Sequence, residues 1–157
     1  MEILNLYGDI TTACKAQIIC HQVNCQGKMN SGVAKCVREK FPEVFEKYLN
    51  YVKTYGNRCL GTCQIVQTTK EEQLVANLFG QNNYGYDGKR YTSYDALYSA
   101  LEELRDYCIN AEISSIAFPN RIGCDRGGAN WDIVQLMIVE VFKSLNDFTI
   151  YFYKFTE

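Results

Sequence analysis

The chain has 157 residues, of which 47% are hydrophobic, and its 16 Lys and Arg against 18 Asp and Glu give a formal net charge of −2. This size and composition predict a single domain over residues 1–157 with a sizeable buried core, and they exclude intrinsic disorder. Because the net charge is nearly neutral, no long-range field would gather a polyanion, and an anionic ligand has to be held by local geometry.

The opening residues, MEILNLYGD, lack the basic start and the apolar stretch of a signal peptide. Apolar runs elsewhere are only a few residues long, which is too short for a membrane-spanning helix. We therefore expect a cytoplasmic protein with no membrane partner. No apolar surface stripe is apparent, so a monomer is expected.

The eight cysteines are scattered along the chain and form no CxxC pair. This pattern is typical of small buried thiols in a reducing compartment, rather than of disulfides or structural zinc. No acidic cluster of the kind that binds Mg²⁺ or Ca²⁺ is present either. We therefore predict neither a metal site nor a cofactor.

Short apolar runs bounded by polar residues predict the β-strands. They lie at residues 3–7, 18–23, 63–66, 74–79, 113–118 and 148–153.

Segments with helical periodicity lie between these runs. Pro42 begins one helix at the position where proline is favoured, and Gly56 ends it. Asn130 or Trp131 begins the last one. In chain order, the helices are expected over residues 33–41, 42–55, 93–108 and 130–145.

Strands alternate with helices, and the runs 18–23 and 113–118 are apolar on both faces. We therefore predict an α/β fold, a three-layer α/β/α sandwich around a mixed sheet of about six strands. Ligands of such folds bind outside the carboxyl ends of the strands. Chemistry is expected in the loops that follow those ends: loop 1 (residues 24–32), loop 2 (residues 81–91) and loop 3 (residues 120–130).

Loop 1 is a polar, glycine-containing loop that runs directly into a helix. Amides at a helix start carry partial positive charge and bind phosphate without a basic side chain. The alternative is that Asn30 or Ser31 only caps the helix. Loop 3 contains three glycines, which let the backbone approach a ligand closely. Together the two loops predict a clamp for a diphosphate. Neither matches a Walker A loop or the GxGxxG fingerprint.

Five motifs occur in order along nearly the whole chain, and together they resemble the motifs of a macrodomain. Within that family the sequence is similar to the small branch that contains ADP-ribose-1″-phosphate phosphatases and the terminal ADP-ribose protein glycohydrolase. The motifs are GDIT at residues 8–11, HQVNCQG at 21–27, NSGVA at 30–34, NLFGQ at 77–81, and IGC at 122–124 followed by Trp131.

The resemblance implies a role for individual residues. Asp9 would accept a hydrogen bond from the adenine amino group, and the backbone of Ile10 would lie along the ring. Asn24 would bind hydroxyls of the distal ribose. Either Tyr151 or Tyr153 would pack on the adenine, with ordinary sheet packing as the alternative. The amides of Gly32, Val33 and Ala34 would bind one phosphate, and those of Gly123, Cys124, Asp125 and Arg126 the other. The remaining implied ligand-binding residues are Asn30, Ser31, Gln81 and Ile122.

The resemblance also bears on the reaction. Glycohydrolases of this branch use a lysine just after the strand 74–79, where this chain has Gln81, and an amide is no nucleophile. Lys89, in the same loop, is another amine, but its neighbours resemble a solvated turn. The phosphatase branch instead resembles this sequence at the position of His21, which is the single histidine of the chain.

An imidazole that titrates near neutrality suits general acid and base catalysis, so His21 is one catalytic candidate. The alternative is a core histidine bonded to a backbone carbonyl. Asp125 is the second candidate, to orient water or to pair with His21, whereas Asn130 is expected to cap a helix. We therefore expect hydrolysis of ADP-ribose-1″-phosphate. Removal of ADP-ribose from protein or nucleic acid and non-catalytic recognition of ADP-ribose are the alternatives.

Overall fold

The computed structural model describes residues 1–12, 14–69 and 73–155. Within these residues, a six-stranded sheet has the order β1-β6-β5-β2-β4-β3. Every neighbouring pair is parallel except β3 and β4. All six predicted strands are confirmed. They are β1 (Glu2–Tyr7), β2 (Ile18–Gln22), β3 (Cys63–Gln67), β4 (Leu74–Leu78), β5 (Ser115–Pro119) and β6 (Thr149–Lys154).

The helices also begin close to their predicted starts, and two of them have a side-chain cap. The Ser93 side chain accepts a hydrogen bond from the amide of Ala96, and the Asn130 side chain accepts from the amides of the first helical turn that follows it. A 3₁₀ turn at Gly56–Cys59 was not predicted. The helices of the described residues are α1 (Gly32–Lys40), α2 (Pro42–Tyr55), α3 (Tyr94–Asn110) and α4 (Trp131–Phe142).

Successive side chains of β2 point to opposite faces of the sheet, and both faces are covered. Ile19 packs with Val37 of α1 and Val44 of α2 on one face. Ile18, on the other face, belongs to a cluster that includes residues of α3 and α4, such as Leu101. The three-layer α/β/α sandwich is therefore confirmed. No helix in the described part of the chain is long and apolar enough to cross a membrane.

The strand order brings the three loops together. β2 lies between β4 and β5 and is parallel to both, so the carboxyl ends of these three strands meet at one edge of the sheet. Loop 1 follows β2, loop 2 follows β4 and loop 3 follows β5. Three separate stretches of sequence thus become the walls of one site.

Candidate functional site

A cleft of about 570 Å³ opens at this edge of the sheet, within the volume range of small-molecule sites. The structure places every predicted site residue on the cleft wall except Cys124. The main-chain amide of Cys124 donates to the main-chain oxygen of Arg121 at 2.9 Å, and its side chain is buried. The prediction that this amide contacts a phosphate is therefore wrong, because the amide closes a turn inside loop 3.

Unpaired amides remain on either side of Cys124. The main-chain N–H groups of Gly123, Asp125 and Arg126 donate no hydrogen bond within the described residues. Gly123 has a φ of 77° and Arg121 a φ of 63°, both in the left-handed region. These angles turn the backbone tightly, and the turn does not use the three amides for its own hydrogen bonds. Loop 3 therefore presents an anion-binding concavity to the cleft.

The start of helix α1 supplies a second set of donors. Ser31 is the N-cap residue, but its side chain makes no capping hydrogen bond, so capping is not its role here. Among the described residues, no partner accepts from the amides of Gly32, Val33 and Ala34. These amides line the same cleft as those of loop 3, and they carry the positive end of the helix dipole.

At one end of the cleft, the Asp9 carboxylate is hydrogen-bonded to Thr11, two residues further along the chain. One carboxylate oxygen accepts from the main-chain amide of Thr11 at 2.8 Å and from its hydroxyl at 2.6 Å. The other oxygen has no hydrogen-bond partner among the described residues and is available to a ligand amine. Ile10 beside it is buried and also lines the cleft.

The aromatic wall comes from strand β6. Tyr153 lines the cleft and Tyr151 does not, so the structure favours Tyr153 of the two predicted candidates. The Tyr153 hydroxyl accepts a hydrogen bond from the amide of Lys15 at 2.9 Å. Phe155, just past the strand, also lines the cleft and is 63% exposed. The alternation of aromatic residues at 151, 153 and 155 was the signal that could have identified it.

Asn24 has a larger structural role than predicted. Its side-chain oxygen accepts from the amide of Gln26 and from the Tyr48 hydroxyl, and its nitrogen donates to the main-chain oxygen of Lys28. One N–H of the amide is left for a ligand. Burial raises the pKa of Tyr48, so its hydroxyl stays protonated and acts as a donor.

Two polar residues that the sequence analysis missed tie the loops together. The Gln22 side chain donates to Gln81 Oε1 at 2.7 Å and to Thr92 Oγ1 at 2.8 Å. The Thr92 hydroxyl in turn donates to the main-chain oxygen of Gly123 at 2.8 Å. Gln81 therefore belongs to a network that joins β2, loop 2 and loop 3, and its side chain is held in place.

His21 lines the cleft, but its side chain is almost fully buried. Its Nε2 lies 2.6 Å from Oδ1 of Asn77, so its partner is a side chain and not a backbone carbonyl. Burial lowers the pKa of His21 from 6.5 to about 4, against a smaller opposing effect of the Asn77 bond, so the ring is neutral at pH 7. Its Nδ1 has no hydrogen-bond partner in the described chain.

Asp125 does not pair with His21. Its carboxylate is 82% exposed and lies 3.7 Å from Nε of Arg121, so that part of the prediction is wrong. Lys89 forms an exposed ion pair with Asp87 at 3.8 Å and is absent from the cleft wall.

The charges around the cleft favour an anionic ligand, although the whole chain has a net charge of −2. The guanidinium of Arg126 lies over the Tyr86 ring, 4.2 Å from its centroid. The charged side chains on the described cleft wall are Lys28, Arg121, Arg126 and Lys154 against Asp9 and Asp125.

Comparison with known proteins agrees with this architecture. The family model described as Macro domain matches residues 20–138. The chain is 23% identical over 143 residues to the ADP-ribose glycohydrolase OARD1 of Homo sapiens, covering 91% of this chain and 86% of that protein. It is 25% identical over 142 residues to the DNA ADP-ribosyl glycohydrolase of Mycobacterium tuberculosis, covering 89% of this chain but 38% of that protein.

Solved structures show the same fold. A protein of unknown function from Bacteroides thetaiotaomicron is 27% identical and superimposes with a TM-score of 0.83, covering 98% of each chain. The macrodomain of Mycobacterium tuberculosis DarG is 24% identical, with a TM-score of 0.84 and 96% of each chain covered.

Proposed function

The chain belongs to the macrodomain family, and from that membership and the cleft we propose that it binds ADP-ribose and hydrolyses ADP-ribose-1″-phosphate to ADP-ribose and phosphate. One observation carries the proposal. Two sets of main-chain amides that have no partner among the described residues, at the start of α1 and in loop 3, line one positively charged cleft. Such paired donor sets suit a diphosphate, because they supply positive potential and directed N–H groups from two sides.

The ligand has one orientation in this proposal. The adenine lies beside Ile10 and against Tyr153 and Phe155. Its amino group donates to the second carboxylate oxygen of Asp9. The amides of α1 and loop 3 bind the two phosphates. The distal ribose then lies near Asn24 and His21, where the cleft wall is polar.

The identity of residue 81 favours direct attack by water. Gln81 cannot form a covalent ribose intermediate, and its side chain is held by Gln22 and donates to the main-chain oxygen of Asn83. In hydrolysis the water oxygen bonds to phosphorus, the bond between phosphorus and the C1″ oxygen breaks, and that oxygen takes up a proton. The loop amides stabilise charge on the transferring phosphoryl oxygens. His21 accepts a hydrogen bond from the water, and Asp125 is the second candidate for a proton acceptor.

The names of two relatives favour a second candidate function. Proteins similar to this chain are called ADP-ribose glycohydrolase and DNA ADP-ribosyl glycohydrolase. The same cleft would then release ADP-ribose from a modified protein or nucleic acid. With Gln81 in place, water rather than a lysine would attack the ribose.

Phosphorus NMR separates these functions. ADP-ribose-1″-phosphate is incubated with the protein, with a His21→Ala variant and with an Asp132→Asn control on the exposed start of α4. We expect inorganic phosphate from the protein and the control, whereas the His21→Ala variant still perturbs the diphosphate resonances but releases far less phosphate. Perturbed resonances without phosphate release, together with release of ADP-ribose from modified protein or DNA, would support the second candidate. An unchanged spectrum would contradict the ligand assignment.

A further inference from the structure

Three polar side chains lie next to one another across the sheet beneath the cleft. His21 on β2 is in register with Asn77 on β4, and Asn77 is in register with Gln64 on β3. Asn77 Oδ1 lies 2.6 Å from His21 Nε2, and Asn77 Nδ2 donates to Gln64 Oε1 at 3.1 Å. At the far end, Gln64 Nε2 donates to the main-chain oxygen of Lys47 on α2 at 3.2 Å.

The main-chain oxygen of Lys47 determines which way each hydrogen bond of this row points. A main-chain oxygen only accepts, so Gln64 has to present its nitrogen to Lys47 and its oxygen to Asn77. Asn77 then presents its nitrogen to Gln64 and its oxygen to His21. The hydrogen of the neutral imidazole is therefore on Nε2, and Nδ1 carries an unprotonated lone pair.

The Nδ1 lone pair lacks a partner in the part of the chain that the structure describes. Among the described residues, Nδ1 is one of two buried side-chain polar atoms without a hydrogen bond, and His21 lines the cleft. A buried acceptor that is left unpaired destabilises the folded state until a donor reaches it. The donor that this position suits is a hydroxyl or a water in the cleft.

We propose that Asn77 and Gln64 are positioning residues that hold His21 as a hydrogen-bond acceptor for a hydroxyl of the ligand or for the attacking water. The identity of that ligand rests on the proposed function, whereas the state of the ring does not. In this role His21 accepts a proton or a hydrogen bond and does not donate one to a leaving group. This narrows the sequence-based hypothesis of an acid or base to a base.

The single histidine makes the state of the ring directly measurable, because a nitrogen-15 NMR spectrum of the imidazole contains the signals of one residue. We expect the intact protein to show the tautomer with the hydrogen on Nε2. Gln64→Met removes the acceptor for Asn77, so the Asn77 amide is free to rotate and the other tautomer becomes populated. Gln64→Glu retains an acceptor at the same place, so it should keep the original tautomer.

Gln135→Met, on the exposed face of α4, is the matched control and should leave the spectrum unchanged. Gln64 lies on an edge strand and is only half-buried, and thermal melting of each variant verifies its folding. The hydrogen on Nδ1 in the intact protein, or an unchanged tautomer in folded Gln64→Met, would overturn the proposal.

Titration with ADP-ribose separates this inference from the proposed function. We expect the Nδ1 signal to shift as it accepts a hydrogen bond, and affinity and turnover of the Gln64→Met variant to fall in proportion to the fraction of molecules that lose the tautomer. Ligand that binds by calorimetry yet leaves Nδ1 unshifted would overturn the acceptor role. Failure to bind at all, with the Nε2–H tautomer present, would overturn the proposed function and retain the positioning of the ring.

Discussion

The Tyr48 hydroxyl, carried by helix α2, donates to both oxygens of Asn24, at 2.7 Å to the main-chain oxygen and 2.9 Å to the side-chain oxygen. Tyr48 is fully buried and its ring stacks on Phe79, with 5.8 Å between the ring centroids. Tyr48 therefore anchors the start of loop 1 to helix α2. Helix α2, which supplies no residue to the described cleft wall, thus holds the loop that we propose contacts the distal ribose.

Tyr48→Phe should weaken both the fold and the site. Loss of a buried donor leaves the main-chain oxygen of Asn24 unpaired, which we expect to lower the free energy of unfolding by about 1–2 kcal/mol. ADP-ribose affinity, measured by calorimetry, should fall several-fold because loop 1 loses its anchor. Tyr51→Phe is the matched control on the same helix, since its hydroxyl bonds Thr62 away from the cleft. Equal affinity in the two variants would contradict the anchoring role.

Gly123→Ala should abolish most ligand binding. The φ of 77° is strained for alanine, which costs about 1 kcal/mol, and the added methyl would lie 3.1 Å from Gln22 Oε1 and 3.3 Å from Thr92 Oγ1. Displacing these groups disturbs the loop 3 amides, so ADP-ribose affinity should fall about tenfold or more.

Gly88→Ala provides the control for Gly123→Ala. Its φ of 79° brings the same backbone strain, but no atom of the described residues lies within 4 Å of the added methyl. It should lose similar stability in urea unfolding and retain full affinity. If both variants bind equally well, loop 3 does not contribute the proposed phosphate contacts.

The agreement between sequence and structure has a simple physical basis. Apolar periodicity and capping residues report local structure, so the strands, the helices and the cap residue Asn130 were predictable. Which loops share a cleft followed from the general rule for parallel sheets. The monomeric state, the location and the reducing compartment stay predictions.

The errors concern contacts that span strands or depend on exact backbone angles. The row of Gln64 and Asn77 beside His21 depends on the strand order β2-β4-β3, which no local pattern contains. The anchor Tyr48 depends on the contact between helix α2 and the start of loop 1. The amide of Cys124 was predicted to contact a phosphate because the resemblance to a macrodomain implies that role for its motif. The left-handed angle of Arg121, unusual for a residue other than glycine, turns that amide inward instead.

Stability should depend on pH through His21. Its pKa is lowered from 6.5 to about 4 in the folded protein, so between these values the unfolded chain binds more protons than the folded one. The stabilisation is complete above pH 6.5 and is lost as the pH falls to 4. We expect His21 to account for about 3 kcal/mol of this loss in urea unfolding. His21→Asn should unfold with a correspondingly shallower pH dependence, and identical slopes would contradict the lowered pKa.

Phe155→Ala tests the aromatic wall. The side chain is 63% exposed, so its removal should change the free energy of unfolding little. Stacking of a base on an aromatic ring contributes about 1–3 kcal/mol, so ADP-ribose should bind about tenfold more weakly. Leu136→Ala, at a residue that is 70% exposed on α4, removes a comparable apolar side chain away from the cleft and should leave affinity unchanged. Full affinity of Phe155→Ala would leave Tyr153 as the adenine contact.

The unpaired main-chain amides of α1 and loop 3 determine which substitutions should inactivate the site and which it should tolerate. An N–H group of the backbone cannot be deleted by an alanine scan, so a scan of the non-glycine positions 31, 33 and 124–126 would report a weak site even where binding is tight. Inactivating substitutions should instead cluster at positions that control backbone angles, such as Gly123, and at buried anchors such as Tyr48. Side chains beside main-chain donors are free to change without loss of those donors, and the fold itself is shared at 24% to 27% identity over nearly the full length.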